Sequence, residues 1–337
     1  MLVCLSPPLF VAAATPTNAG HSLGIDRTNL AVIINLSDPL SVATGEYYAQ
    51  ARRIPATNVI RIAIPVGASE LSPDEFLRVK SQVDSVAPPN IQAFALAWTA
   101  PYRVGCMSIT SAFAFGYDRS YCANGCAATR LSTYFNSPSR SPFDELRIRP
   151  AMMLAGHSFN DIKLLIDRGI ASDASFPRGR AFLLSTSDKA RNTRASLYPI
   201  AESAAAGLID ISVLKQDTLI DAKEVMFYFT GRDRVTGLET LHYLPGAIAD
   251  HLTSFGGQLT DSVQMSALRW LESGATGSYG TVVEPCNFPQ KFPHPALVIG
   301  RYIRGESLIE TYWKSVAWPG QGVFIGEPLA APYRLRR

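Results

Sequence analysis

The feature that most restricts this chain is the run 30–36 (LAVIINL), apolar, rich in β-branched residues and far too short to cross a membrane as a helix. Such a run reads as a strand buried on both faces, and strands of that kind belong to parallel sheets covered by helices. The residues that follow agree. Ser37 or Asp38 can cap a helix, Pro39 suits its first turn, and Pro55 stops it. Strand character returns at 58–64 (NVIRIAI). Strand, helix and strand within about 35 residues form a βαβ unit, which predicts a parallel sheet.

The alternation continues along the chain. A helix is expected near 72–83 and a strand at 91–99, followed by a long Gly-, Ser-, Asn- and Cys-containing insertion at 102–149 without clear periodicity. Then come a strand at 151–155, a helix at 160–171, a strand at 181–185, a helix near 195–205 and a strand at 209–214. Short strands are expected at 225–229 and 246–252, a helix at 264–273, a strand at 275–283, one helix over 297–313 and a last strand at 322–325. The expected fold class is α/β, a mostly parallel sheet flanked by helices. With 337 residues the chain has room for one large or two modest domains. An N-terminal α/β portion, 28–150, carries the insertion, and a second α/β portion spans 151–330.

Composition narrows the function classes. Hydrophobic residues make up 47% of the chain and charged ones 18%, which excludes a disordered chain. The net charge of +3 comes from 31 basic and 28 acidic residues, with no basic run to track a phosphate backbone, so nucleic acid is not an expected partner. No segment reaches the roughly 18 apolar residues of a membrane span, so no stable span is expected. Residues 1–20 read as a signal peptide with an apolar stretch at 2–14, although no basic residue precedes it and Pro7 and Pro8 interrupt it. The protein is therefore expected to be exported, to the periplasm or beyond the cell.

Under export, Cys4 leaves with the leader and Cys106, Cys122, Cys126 and Cys286 remain as an even set with three possible pairings. Cys122 and Cys126 are close enough to close a small loop around Gly125, which leaves Cys106 to pair with Cys286. A zinc site is disfavoured, since the three clustered cysteines lack a nearby histidine and the usual two-residue spacing.

In open α/β sheets ligands bind beyond the carboxyl ends of the strands. The residues there include Asp38, Trp98, Asp188, Arg232, Asp233, Asp250, His251, Thr253, Ser254, Glu284 and Cys286. Asp38, Trp98, Arg232 and Asp233 are candidate binding residues. His251 and Cys286 end consecutive strand candidates, so a Cys286–His251 dyad is conceivable, with Asp250 or Glu284 orienting the imidazole. The plainer alternative puts Cys286 in a disulfide and His251 in a hydrogen-bonded turn. Thr253 or Ser254 beside His251 offers a hydroxyl variant. Gly156-His157-Ser158 lacks the second glycine of a nucleophile elbow, and helix capping accounts for Ser158. A metal- or carbohydrate-binding module would need three strand-end carboxylates on one cavity, whereas acidic residues at strand ends also cap helices; no metal or cofactor is expected.

The succession VMFYFTG, LPGAIADHLTSFGG, LRWLESGATGSYGTVVEP, LIETYWKSV and GVFIGEPL in the C-terminal third resembles the layout of gingipain-type, caspase-like cysteine peptidases. That resemblance implies a caspase/gingipain-like fold for the second portion, a base on a strand ending Thr-Gly-His-Gly and a cysteine nucleophile at the end of the next strand. Here Thr230-Gly231-Arg232-Asp233 places arginine where the histidine should be, the cysteine position falls on His251 or Asp250, and Gly326-Glu327-Pro328 stands for Gly-Asp-Pro. The whole chain, through PYRVGCMSITSAFAFGY, DHLTSFGG and GATGSYGTVVEPCNFPQKFP, also resembles a family of bacterial exported proteins to which no activity is assigned. Together these imply a degenerate peptidase-like scaffold acting in binding or in cell-envelope processes, with a peptide or envelope component as partner. The alternative is an active hydrolase with an unconventional site around His251 and Cys286.

Overall fold

A computed structural model describes residues 24–335 except 124, 206 and 208. The leader expected at 1–20 lies outside the described residues. β1 (Leu30–Asn35) is buried at every position, as its apolar run requires. Its alternate side chains enter different layers: Leu30, Val32 and Ile34 join one core cluster, and Ala31 and Ile33 join another on the opposite face. α1 (Pro39–Arg52) starts at Asp38, whose carboxylate accepts the Leu40 N–H at 2.9 Å, and packs Ser41, Thr44, Gly45 and Tyr48 inward. A Cβ at Gly45 would collide with Ile34, so glycine is what lets the helix lie this close to β1.

β2 (Val59–Ile62), β3 (Glu70–Leu71), α2 (Pro73–Val86) and β4 (Ala93–Leu96) follow. The insertion holds β5 (Arg103–Val104), β6 (Met107–Ser108), α3 (Ile109–Phe115) and α4 (Pro142–Leu146). α3 is almost wholly buried and so shows no amphipathic period, which is why it was not legible in the sequence. The chain continues with β7 (Ala151–Met153), α5 (Phe159–Ser172), β8 (Arg180–Ser185), α6 (Tyr198–Ala204), β9 (Asp210–Lys215), β10 (Val225–Thr230) and β11 (Tyr243–His251). It ends with α7 (Leu268–Ser273), β12 (Gly277–Thr281), α8 (Pro295–Tyr302), α9 (Leu308–Trp313) and β13 (Gly322–Gly326).

Ten of these strands form one sheet in the order β2-β1-β4-β7-β13-β12-β11-β10-β8-β9. Neighbours pair parallel within β2-β1-β4-β7 and within β12-β11-β10-β8-β9. β13, the last strand in sequence, sits between these blocks and runs antiparallel to β12 over five residue pairs. The sheet is thus mostly parallel and flanked by helices, as expected.

Two helix expectations need correction. The single helix over 297–313 is two, α8 and α9, because Gly305 turns the chain at φ 87° and a Ser307–Glu310 capping box starts the second. The helix expected at 264–273 begins only at Leu268. Gln264 spends its side-chain oxygen on the Phe255 N–H and the Thr253 hydroxyl, which holds the preceding residues in a loop.

Candidate active-site region

β10 and β11 end side by side, with Thr230 opposite His251 in register. Asp250 and His251 are successive strand residues and therefore face different layers. Asp250 is fully buried and meets Arg194, which is 1% exposed, at 2.5 Å. Arg194 also donates to the Thr230 carbonyl at 3.0 Å, so it ties the segment before α6 to the ends of both strands. Burial lowers the proton affinity of the guanidinium, and the Asp250 carboxylate together with Tyr198 and Tyr312 more than restores it, leaving Arg194 above its ordinary value. Asp250 is therefore consumed by an ion pair and does not orient His251.

His251 is buried with both ring nitrogens bonded. The Trp270 indole donates to Nδ1 at 2.8 Å, and Nε2 lies 3.1 Å from the Met265 carbonyl. An indole N–H can only donate, so Nδ1 carries no proton and Nε2–H donates to Met265. The ring is neutral by construction. Burial pulls its pKa down to about 3, outweighing the Met265 carbonyl that favours the charged form. Neither nitrogen is left to accept a proton from a nucleophile.

Cys286 is bonded to Cys126, with Cα atoms 5.4 Å apart, and Cys106 is bonded to Cys122, with Cα atoms 5.5 Å apart. The four expected cysteines form two disulfides, but the pairing expected from spacing is corrected. Cys122 pairs within the insertion, whereas Cys126 reaches a distant part of the fold. The Cys126–Cys286 bond joins the insertion to the loop after β12. Cys286 sits in the left-handed region at φ 54°, held by the Glu284 carboxylate, which accepts the Cys286 N–H at 2.7 Å. The sulfur is in a disulfide and the imidazole is occupied, so the structure does not assemble Cys286, His251, Asp250 and Glu284 into a dyad with an orienting carboxylate.

A cavity of about 230 Å³ opens where β8, β11 and β12 end, lined among others by Arg191, Thr253, Ser254, Glu284, Cys286 and Asn287. Its walls are fixed by a small network. Arg191 donates from Nη1 to Asp188 at 2.8 Å and from Nε to the Thr253 hydroxyl at 3.2 Å. That hydroxyl donates to Gln264 at 2.7 Å. The Thr281 hydroxyl lies 3.0 Å from the Thr253 carbonyl and 2.9 Å from that of Ser254, pinning the loop to β12. Among the charged groups on the wall, Nη2 of Arg191 and the second carboxylate oxygen of Glu284 have no hydrogen bond among the described residues, while the Glu284 charge also acts on the buried Lys291. The cavity therefore offers a cationic donor and an anionic acceptor in one small space.

The other sequence candidates have local duties. Asp38 caps α1; Trp98 is buried and donates its indole N–H to the Pro101 carbonyl at 3.0 Å. Arg232 pairs with Asp217 at 2.7 Å, and the Asp233 carbonyl accepts the Met265 N–H at 2.9 Å. Ser158 forms a capping box with Asp161 at the start of α5. Among the described residues no three His, Cys, Asp or Glu side chains gather as metal ligands. Arg191, Arg194, Gln264 and Trp270 were not singled out from sequence. Only Arg191 had a local signal, the acidic Asp188 three residues earlier at a strand end.

No protein-family model matches the chain, and no curated protein matches it. Among solved structures, the complex of the pro- and mature domains of Porphyromonas gingivalis RgpB is similar, with 10% identity over 90% of this chain and 79% of that one and a TM-score of 0.46. A structure described as a protease is similar with 10% identity over 91% of this chain and 79% of that one and a TM-score of 0.43. Both are likenesses of chain layout, and neither carries a residue role or an activity over to this chain.

Proposed function

We propose that this chain is an exported binding protein on a degenerate peptidase-like scaffold, and that the cavity at the ends of β8, β11 and β12 holds a small peptide-like ligand, free or as part of a cell-envelope component. The observation that carries the reading is the pair of charged groups on the cavity wall with an atom not hydrogen-bonded among the described residues, Arg191 Nη2 and the second Glu284 oxygen, beside a cysteine already bonded to Cys126. A ligand with both a carboxylate or carbonyl and an amine or amide N–H complements them, which is the description of a peptide end or an amino acid. At about 230 Å³ the space suits one or two residues rather than a long segment. The hydrolase alternative requires the Cys126–Cys286 bond to open and the His251 ring to leave both its partners.

The test is calorimetric titration of the purified chain with dipeptides whose ends are free or blocked. Free-ended dipeptides should bind, and Arg191→Gln and Glu284→Gln should each weaken them by about tenfold, the worth of one charge-assisted hydrogen bond. Because Arg191 also holds Asp188 and Thr253 and Glu284 also holds the Cys286 turn, each variant is first checked for folding by circular dichroism. Absence of saturable binding, or binding indifferent to both substitutions, contradicts the proposal.

A further inference from the structure

A second cavity, of about 310 Å³, lies between α2, α3 and α4, near the amino-terminal ends of β4 and β7, and shares no lining residue with the first. Its wall carries three cations, Lys80, Arg147 and Arg149, against one carboxylate, Asp84, with the half-buried Phe143 ring as apolar surface; Phe113, also in the wall, is fully buried among Phe76, Phe94 and Trp98. Asp84 serves two of the cations: it lies 2.5 Å from Lys80 Nζ and 3.4 Å from Arg149 Nη1. Arg147 has no ion pair among the described residues, and its guanidinium stands 5.6 Å from the centre of the Phe143 ring. Asp144 adds a second, outer carboxylate, but its side chain is engaged by Gln92 at 3.0 Å.

Arg149 is the centre of the arrangement. It is 8% exposed, its guanidinium lies 3.4 Å over the Phe143 ring, and its Nε donates to the Ile91 carbonyl at 3.0 Å. A guanidinium has five N–H donors in a rigid fork; here Nε and one hydrogen on Nη1 are used, and Nη2 has no partner among the described residues. Burial pulls Arg149 below its ordinary value, and Asp84 and Asp144 only partly oppose this. A buried cation that its neighbours leave undercompensated gains most from a further anion. The Phe143 ring beside it favours a ligand with a flat apolar body, which packs on the part of that ring not covered by Arg149.

We propose that this cavity binds a small aromatic oxyanion, a phosphate monoester or carboxylate on a ring, with the anionic group on Arg149, Arg147 and Lys80 and the ring against Phe143. The site is independent of the peptide-like site proposed above. Arg147 is an exposed cation, Lys80 is largely covered and paired with Asp84, and Arg149 supplies the buried fork.

Calorimetry of the full chain in low-chloride buffer with phenyl phosphate, benzoate and inorganic phosphate tests it. Phenyl phosphate or benzoate should saturate one site at millimolar concentration or below and bind more tightly than inorganic phosphate. Added salt should weaken the interaction, because exposed charges are screened. Arg147→Gln should weaken it by about tenfold with no change in melting temperature, as one charge-assisted contact is lost at an exposed residue. Arg149→Lys, checked for folding by circular dichroism, should weaken it further by removing the fork. Arg191→Gln should leave it unchanged. No saturable binding of any of the three, or binding that survives both Arg147→Gln and Arg149→Lys, or binding abolished by Arg191→Gln, would overturn the proposal. Equal affinity for phosphate and phenyl phosphate would overturn the role of the Phe143 ring.

Discussion

An imidazole bonded at both nitrogens inside a dry layer cannot gain a proton without losing a bond, and this sets how His251 answers to pH. Its folded pKa, about 3, lies below the ordinary 6.5, so between these values the unfolded chain binds the extra proton. Stability from this residue is therefore present above pH 6.5 and is lost as pH falls toward 3. The expected loss between pH 7 and pH 5 is on the order of 2 kcal/mol. Urea unfolding at the two pH values measures it, and His251→Gln should shrink the difference; a His251 ring that titrates near 6.5 by NMR contradicts this account. The buried Arg194–Asp250 pair makes a second prediction. Asp250→Asn or Arg194→Met alone should cost about 3–5 kcal/mol, because each strands a buried charge, while the double substitution should recover much of it. Sequence position at a strand end did mark Asp250 and His251 as residues with special surroundings. It did not reveal what surrounds them, since Arg194 and Trp270 lie 56 and 19 residues away in segments without a motif.

Among the elements, those with a clean period were legible and those shaped by long-range contacts were not. β1, α1 and β2 follow from apolar run, cap and proline, and the helix expected from Ser72 and the cap read at Ser158 agree with the starts of α2 and α5, where the structure adds a capping box to each. The register of β13 inside the sheet, the break between α8 and α9 and the loop before α7 depend on partners distant in sequence. The loop after β11 shows the cost of a close approach. Gly257 and Gly280 bring two backbones into contact, and a Cβ at either would meet main-chain atoms that have nowhere to move. Gly280→Ala should destabilise the protein by about 1–3 kcal/mol, the usual penalty of overpacking. It should also weaken ligand binding at the first cavity, because the same loop presents Thr253 and Ser254. Thr281→Val tests that link with less steric change: it leaves two carbonyls without their donor and should cost about 1–2 kcal/mol by urea unfolding.

For the molecule as a whole, the two halves of the sequence share one sheet and are further tied by side chains. Arg52, at the end of α1, forks onto Glu327 just after β13 and also meets Asp173 after α5, so the glutamate of Gly326-Glu327-Pro328 works as a buried clamp. Among the described residues no helix is long and apolar enough to cross a membrane. The disulfide between Cys126 and Cys286 spans 160 residues, and closing so long a loop removes unfolded-state entropy worth about 2–5 kcal/mol. Reduction should therefore lower the unfolding midpoint, and the even cysteine count read from the sequence predicted such bonds though not their partners. The same bond decides whether the cavity at the ends of β8, β11 and β12 contains a thiol. Alkylating free thiols before and after reduction, in protein purified from an oxidising compartment, and mapping the labelled peptides tests the central claim most directly. Cys286 should label only after reduction and be found joined to Cys126. Rapid labelling of Cys286 without reduction, at a rate that falls in His251→Ala, would contradict the account and make a live Cys–His pair the explanation of the site.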